Sequence, residues 1–334
     1  MKPIYIIIDS LVTEADAWET HFASVLQGYI EARQIVDYEI VEVFDLNIIK
    51  QKFENKEIEN GTKFIFPNAW TSATTYIKHW SELSNIQIET IGLWTRGCFI
   101  NEDEEFRPLG NRDWRKVFER ASFRCLDKSF FISEYHKEQF RIYVSKFVFP
   151  DRLGVIPFPL DYLELEMALY KDKFYKQDMI IFPWAKYTQL QEQIMYDFIR
   201  VYSNMQIIFA QEKSPLERPQ LLTQVSKAKI AFLPYSYPNI GKEIYECLLL
   251  GTIPLVPDLE AFRELVPDEF RYPPEWTQTI FNYSRYAPDL TSKIKELTSN
   301  YSSYTPLIRN QVDYLFEKYY DSEKIIEQIF GNSN

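Results

Sequence analysis

Three charged residues stand at the start of an apolar segment in the second half of the chain. Lys242, Glu243 and Glu246 lie in residues 242–250, whose other positions are largely apolar and predict a helix. The first turn of a helix carries N–H groups without intrahelical partners, which together with a lysine bind an anion such as a diphosphate. A charge among apolar positions, such as Glu246, needs a specific partner. The segment therefore predicts an anion site at the start of a helix.

One acidic residue in the first half is placed for acid–base chemistry. Asp9 directly follows the apolar run at residues 3–8, so it lies at the end of a predicted strand. A carboxylate there is the most suitable general base in this half of the chain. The three histidines, His21, His79 and His136, fall on predicted helices instead of strand ends, and we interpret them as packing or surface residues.

A basic segment follows at residues 107–128, with seven Lys or Arg against three Asp or Glu. Arg112, Lys116, Arg120 and Arg124 recur at every fourth position and form one stripe on a predicted helix. A solvated helix face explains such a stripe, and so does a surface for an anionic partner such as nucleic acid or a phosphorylated lipid head. Four tryptophans of the same half have rings that can stack on a base or a sugar: Trp70, Trp80, Trp94 and Trp114.

Short apolar runs alternate with helical patterns along both halves of the chain. Strands are predicted at residues 3–8, 38–44, 63–66, 89–94, 129–133, 179–183, 205–210, 230–234 and 253–256. Helices are predicted at residues 13–32, 72–83, 113–126, 188–202, 216–228 and 242–250. Strands that alternate with helices form right-handed β-α-β units and parallel sheets. Residues 155–161 hold two prolines and predict a stiff connector between two doubly wound domains.

The predicted topology says where ligands should bind. In an open parallel sheet, ligands bind outside the carboxyl ends of the strands. Two such domains that face each other would place both sets of strand ends on one cleft. We expect the loops at these ends, including Asp9 and residues 235–243, to carry the chemistry.

Composition limits the classes of protein to consider. The length of 334 residues fits two domains, and 46% hydrophobic with 25% charged residues excludes disorder for most of the chain. The net charge of −11 argues against a protein that coats nucleic acid or a membrane surface. Three scattered cysteines predict neither a disulfide framework nor a zinc site. No targeting or transmembrane segment is visible, which predicts a soluble, cytoplasmic protein.

Residues 238–266, PNIGKEIYECLLLGTIPLVPDLEAFRELV, resemble the donor-binding signature of GT-B glycosyltransferases, particularly the retaining family 4-like branch. The matching positions are Gly241, Glu246, Gly251, Pro254 and Glu264. Residues 126–140 and 154–161 are similar to the stretch that closes the acceptor domain and to the interdomain connector of these enzymes. The resemblance implies two Rossmann-like domains that face a cleft.

The resemblance also implies a donor site. A carboxylate at Glu246 would bind the ribose hydroxyls of the nucleotide, and Gly241 would let the backbone approach the donor closely. Lys186 and Lys242 would bind the diphosphate. A glutamate that contacts the donor sugar in the family is Pro238 here, and three groups are expected to substitute for it: the Glu243 side chain and the backbone N–H groups of Asn239 and Ile240.

The implied reaction transfers a sugar from a nucleotide-diphosphate sugar, expected to be a UDP-sugar, to an acceptor hydroxyl with retention. No tightly bound cofactor and no metal are expected. The acceptor would meet Trp94, Arg96, Arg112 and Lys116. The expected catalytic carboxylates are Asp9 on the acceptor side and Glu243 on the donor side. Similarity of residues 250–254 to phage DNA glycosyltransferases favours a hydroxymethylated base in DNA as acceptor, in the host cytoplasm if the protein is phage-encoded. A glycan, a lipid or a tRNA nucleoside remains an alternative, as does a module that binds nucleotide sugars without catalysis.

The predicted domains are an acceptor-side domain at residues 1–157 and a nucleotide-sugar domain at residues 158–315. Residues 316–334 are expected to form a C-terminal helix that packs back on the first domain.

Overall fold

The computed structural model describes residues 3–9, 38–95, 97–99, 114–144, 150–156, 160–171, 175–183, 189–201, 204–210, 216–235, 242–319 and residue 329. The chain divides into two compact units. The first spans Met1–Pro159 together with Asp321–Asn334, and the second spans Leu160–Tyr320. This division falls two residues after the predicted boundary, while the predicted packing of residues 316–334 stays a prediction.

The first unit is built on a parallel sheet of six strands in the order β2-β1-β3-β4-β5-β6. The strands are β1 Ile4–Ile8, β2 Tyr38–Glu42, β3 Lys63–Phe66, β4 Glu89–Trp94, β5 Lys128–Phe131 and β6 Leu153–Val155. Ile4 of β1 lies opposite Tyr38 on one side and Lys63 on the other, so β1 is a central strand. Its continuous apolar sequence is what a strand covered on both faces requires.

Helices follow these strands and cover the sheet. The described helices of the first unit are α1 Leu46–Glu54, α2 Ala73–Leu83, α3 Trp114–Cys125 and α4 Glu134–Val144, with 3₁₀ turns at Val43–Asp45 and Pro150–Arg152. The core between sheet and helices is aromatic: Phe64, Phe66, Phe131 and Phe140 are fully buried. Each such side chain stabilises the fold by about 1.5–3 kcal/mol through burial.

The second unit has a parallel sheet of five strands in the order β11-β10-β9-β7-β8. The strands are β7 Gln177–Phe182, β8 Gln206–Phe209, β9 Ala228–Phe232, β10 Ile253–Pro257 and β11 Arg271–Tyr272. The described helices are α5 Leu160–Met167, α6 Gln189–Val201, α7 Arg218–Lys227, α8 Lys242–Leu249, α9 Glu260–Arg263, α10 Ile280–Ser299 and α11 Tyr301–Tyr319, with 3₁₀ turns at Asp268–Phe270 and Pro274–Thr277.

Most of the predicted elements are confirmed, and the differences have local causes. Helix α1 was not predicted because Leu46, Ile49 and Phe53 are its only buried positions and its other residues are mostly polar. The segment 155–161 is not all connector, because β6 ends at Val155 and α5 begins at Leu160. Both elements are short and lack a clear period. The predicted helix at residues 13–32 lies outside the described part.

Candidate functional site

The carboxyl edge of the second sheet has a point where the strand order reverses. β7 pairs with β8 on one side and with β9 on the other, so the connections that leave the ends of β7 and β9 diverge there. Crevices at such points are the usual ligand sites of open parallel sheets. Helix α8 comes next in the chain after β9, and its first turn carries Lys242 and Glu243.

Glu246 is a buried carboxylate on α8, with only 3% of its surface exposed. The Nη2 atom of Arg218 lies 2.8 Å from its Oε1, and the Nζ atom of Lys242 lies 4.0 Å from the same oxygen. Burial raises the pKa of Glu246 above its ordinary value, although the two cations oppose this shift. The need for a specific partner, which the apolar sequence around Glu246 predicts, is met by Arg218.

Arg218 connects three helices of the second unit. Its Nε atom donates to Glu166 Oε1 at 2.7 Å and its Nη2 atom donates to Glu166 Oε2 at 2.5 Å, while the same Nη2 faces Glu246. Arg218 is the first residue of α7, where Glu217 and Gln220 form a capping box. Burial opposes the charge, but the two glutamates hold the pKa of Arg218 above its ordinary value. A permanent cation therefore stays beside Glu246.

Glu243 is held by a tyrosine from the end of β9. The Tyr235 hydroxyl donates to Glu243 Oε1 at 2.8 Å, and the Tyr235 ring packs against Phe262 of α9 with 5.4 Å between ring centroids. The first turn of α8 is thus fixed to the carboxyl edge of the sheet. Sequence reasoning included Tyr235 in the loop 235–243 but gave it no role, and it did not identify Arg218, because neither residue lies in the motif that identifies Glu246.

Asp9 stands at the corresponding edge of the first sheet. It follows β1, is 8% exposed, and its Oδ2 accepts a hydrogen bond from Thr71 Oγ1 at 2.7 Å. Thr71 belongs to the loop after β3, the neighbour of β1 in the sheet. The strand order reverses here too, since β2 lies on the other side of β1. An oriented carboxylate at this point can accept a proton from a bound hydroxyl.

A second carboxylate of the first unit was missed by sequence reasoning. Glu119 of α3 is fully buried, and its Oε2 accepts from Trp70 Nε1 at 3.1 Å and from the Cys98 backbone N–H at 2.7 Å. A Cβ atom added at Gly97 would lie 2.4 Å from this oxygen. Glu119 therefore joins the loops after β3 and β4. The only signal was one acidic residue among the basic residues of α3.

The other predicted site residues have varied positions. Trp94 is 1% exposed and packs on Phe140 with 5.3 Å between ring centroids, so its observed place is in the core instead of on an acceptor surface. Lys116 is half-buried on α3. Six predicted residues lie outside the described part, and their roles stay predictions: Arg96, Arg112, Lys186, Asn239, Ile240 and Gly241.

Comparison with known proteins identifies the fold. No protein-family model and no curated protein matches the sequence. The Staphylococcus aureus MnaA–UDP structure matches with a TM-score of 0.58 and 11% identity, over 98% of this chain and 96% of that chain. Sucrose-phosphate synthase from Thermosynechococcus elongatus matches with a TM-score of 0.57 and 13% identity over 100% of both chains. The chain has the GT-B fold.

A third match to this GT-B chain is the pneumococcal O-GlcNAc transferase GtfA in complex with UDP and GlcNAc. The TM-score is 0.54 with 11% identity over 84% of this chain, which spans only 58% of the length of that transferase. In the described part of the GT-B chain, no three His, Cys, Asp or Glu side chains are grouped to hold a metal ion. None of the described helices combines the length and the apolar character that a membrane crossing needs.

Proposed function

We propose that the chain is a glycosyltransferase that moves a sugar from a UDP-sugar to an acceptor hydroxyl. The observation that carries the proposal is the buried Glu246–Arg218 pair on the α8 side of the second sheet. Two further facts support it: the GT-B fold, and the presence of UDP in the matched MnaA and GtfA structures. A buried carboxylate fixed beside a cation is suited to accept hydrogen bonds from the vicinal hydroxyls of a ribose.

The proposed donor site uses the start of α8. Lys242, the free N–H groups of the first turn and Lys186 would neutralise the diphosphate, whose charge grows as the sugar leaves. Gly241 would let the backbone approach the donor closely, and the backbone N–H groups of Asn239 and Ile240 would contact the sugar. Glu243, oriented by Tyr235, would accept hydrogen bonds from sugar hydroxyls. In this proposal Glu246 binds the ribose of the donor and Glu243 binds its sugar.

We propose that transfer proceeds with retention. The bond between the anomeric carbon and the diphosphate oxygen breaks, and the acceptor oxygen bonds to the same face of that carbon. The acceptor proton passes to the departing phosphate oxygen, so no protein nucleophile is needed. Asp9, oriented by Thr71, would be the general base if the reaction instead inverts the anomeric configuration.

The proposed acceptor is a hydroxymethylated base in phage DNA. The basic residues of α3 favour an anionic acceptor, whereas a neutral glycan would gain nothing from them. A lipid or a tRNA nucleoside would share the hydroxyl chemistry and stays an alternative. Transfer of the sugar is measured for each acceptor class under the same conditions, and the class that accepts the sugar identifies the acceptor.

A module that binds nucleotide sugars without catalysis is the second candidate. It is favoured by Pro238, which stands where the resembled family has the glutamate that contacts the donor sugar. Release of UDP separates the two candidates. The enzyme should release UDP from at least one UDP-sugar when it is mixed with hydroxymethylated DNA, tRNA or simple glycans. Binding of UDP-sugars with no release of UDP for any acceptor would contradict the enzyme and favour the module.

A further inference from the structure

One face of α3 exposes aromatic and basic side chains together. Trp114 is 57% exposed and Val117 is 66% exposed, and Arg120 and Arg124 are exposed as well. These four positions are spaced by three, three and four residues, so they share one side of the helix. Lys116 lies one turn before Arg120 and borders them. We call these five residues the α3 face.

Three cations of the α3 face have no salt-bridge partner among the described residues. The whole chain carries a net charge of −11, and other basic residues pair with acidic ones, as Lys52 does with Glu39 at 2.9 Å and Lys229 with Asp178 at 2.6 Å. Within the described part of the chain, Lys116, Arg120 and Arg124 form no salt bridge.

The only acidic residue of α3 lies on the buried side of the helix. Glu119 points into the unit, where it accepts hydrogen bonds from Trp70 and from the Cys98 backbone. Arg120 is positioned by Tyr143, whose ring centroid lies 4.8 Å from the guanidinium carbon. A row of cations that form no salt bridge with a described carboxylate offers a local site for an anionic partner, even in a protein whose net charge is negative.

Trp114 is held in place by its aromatic neighbours. Its ring lies 6.2 Å from that of Trp70 and 6.5 Å from that of Phe118, both in edge-to-face arrangements. The Arg115 guanidinium lies over the ring, 5.8 Å from its centroid. Although these groups contact the ring, Trp114 stays 57% exposed, and the exposed area of the ring is available for stacking.

The surface connects to the edge of the sheet that carries Asp9. Trp70 belongs to the same loop after β3 as Thr71, and Thr71 donates its hydrogen bond to Asp9. A polymer that contacts Trp114 is therefore bound beside the loop that orients the candidate base. Such an arrangement suits an acceptor that carries its hydroxyl on a long anionic chain.

We propose that the α3 face binds a single strand of nucleic acid, with one base stacked on Trp114 and phosphates at Lys116, Arg120 and Arg124. A single strand is required because a base must leave its stack to reach the tryptophan ring. The identity of this strand as the acceptor depends on the proposed function, but its binding does not. A neutral glycan could stack on Trp114 but would leave the three cations without a role.

The experiment measures binding of a fluorescein-labelled oligothymidylate, about 16 nucleotides long, by anisotropy at several salt concentrations. R120E/R124E is expected to weaken binding at least tenfold and to reduce the slope of log K against log salt by about 2. W114A is expected to weaken binding about tenfold, whereas W114F should retain most of it. Two exposed sites of the same unit provide controls: R141E on α4 for a single charge reversal, and Y76A on α2 for the loss of an exposed ring. Both variants should bind as the wild type does.

Three results would overturn the proposal. These are no binding by the wild type, equal losses in the control variants, and equal binding by a sulfated glycan with no effect of W114A. Circular dichroism of each variant separates lost binding from lost folding, and R120Q/R124Q replaces the double reversal if that variant does not fold. UDP binding is measured on the same samples. Oligonucleotide binding without UDP binding would contradict the proposed function but not this inference. UDP binding without oligonucleotide binding would contradict this inference alone.

Discussion

Three buried carboxylates of the described part of the chain each have a different form of compensation. Glu246 faces a guanidinium, Asp9 accepts from a threonine hydroxyl, and Glu119 accepts from an indole and a backbone amide. A buried carboxylate without hydrogen-bond or ionic partners lowers the stability of the fold. The fold is therefore more stable when the partners of these carboxylates stay in place. For Glu119, the fixed partners are two loops at the carboxyl edge of the first sheet.

The structural role of Glu119 is testable by its removal. E119A leaves the Trp70 indole N–H and the Cys98 backbone N–H without this acceptor, and it also opens a cavity. We expect the free energy of unfolding of the first unit to fall by about 2–4 kcal/mol. Urea unfolding measures the loss. E82A, at an exposed glutamate of α2, should change stability by less than about 0.5 kcal/mol, and an equal effect of both variants would contradict the role of Glu119.

The buried side chain of His136 should make the free energy of unfolding depend on pH. Burial lowers the pKa of His136 from 6.5 to about 3, and Ser133 Oγ lies 2.6 Å from its Nδ1. Between these values the unfolded chain binds a proton that the folded chain excludes, so stability falls as the pH falls. The expected loss from this group is about 1.4 kcal/mol per pH unit.

The variant H136N should remove this part of the pH dependence. Its free energy of unfolding, measured by urea unfolding from pH 6.5 down to pH 4, should fall less steeply than that of the wild type. His79, exposed on α2, provides the control, and H79N should follow the wild-type profile. A wild-type slope in H136N would show that the folded chain accepts a proton on His136.

At the scale of the element, helix α8 ends in a defined hydrogen-bonded turn. Gly251 has a φ of +70°, the Gly251 N–H donates to Leu248 O at 3.0 Å, and the Thr252 N–H donates to Cys247 O at 2.7 Å. This is the hydrogen-bond pattern of a Schellman motif, which ends a helix with a residue in the left-handed region. The motif turns the chain directly into β10, so it sets where α8 and Glu246 lie relative to the sheet.

Substitution at Gly251 tests this connection. G251A places a Cβ in ordinary contact with its neighbours, at 3.7 Å from the Tyr301 hydroxyl, so the strain comes from the backbone alone. We expect a loss of about 1 kcal/mol in thermal or urea unfolding. G251N should lose less, because asparagine tolerates the left-handed region better than alanine. Equal losses for both variants would indicate that contacts, and not the value of φ, decide the cost.

At the scale of the whole molecule, the alternation of apolar runs and helical patterns was enough to predict two parallel sheets. The bounds of β3 and β4 were predicted to the residue. Short elements such as β6, α5 and the two-residue β11 were not predicted. An element of so few residues is too short to show a hydrophobic period.

Some residues of the candidate site could be predicted from a local sequence motif, and others could not. Glu246 could be found from the sequence because its motif is contiguous. Arg218 and Glu166 could not, because the fold brings them to Glu246 from positions 28 and 80 residues earlier in the chain. Glu119 was hidden for another reason: the sequence of α3 shows a basic helix but not which of its sides faces the core.

The central claim, that α8 binds a nucleoside diphosphate through Glu246, is tested most directly by titration calorimetry with UDP. The wild type should bind UDP, and E246Q should bind at least tenfold more weakly, which corresponds to a loss of about 1.4 kcal/mol. E192Q, at an exposed glutamate of α6, should bind as the wild type does. Wild-type affinity in a folded E246Q variant, or no UDP binding by the wild type, would contradict the account.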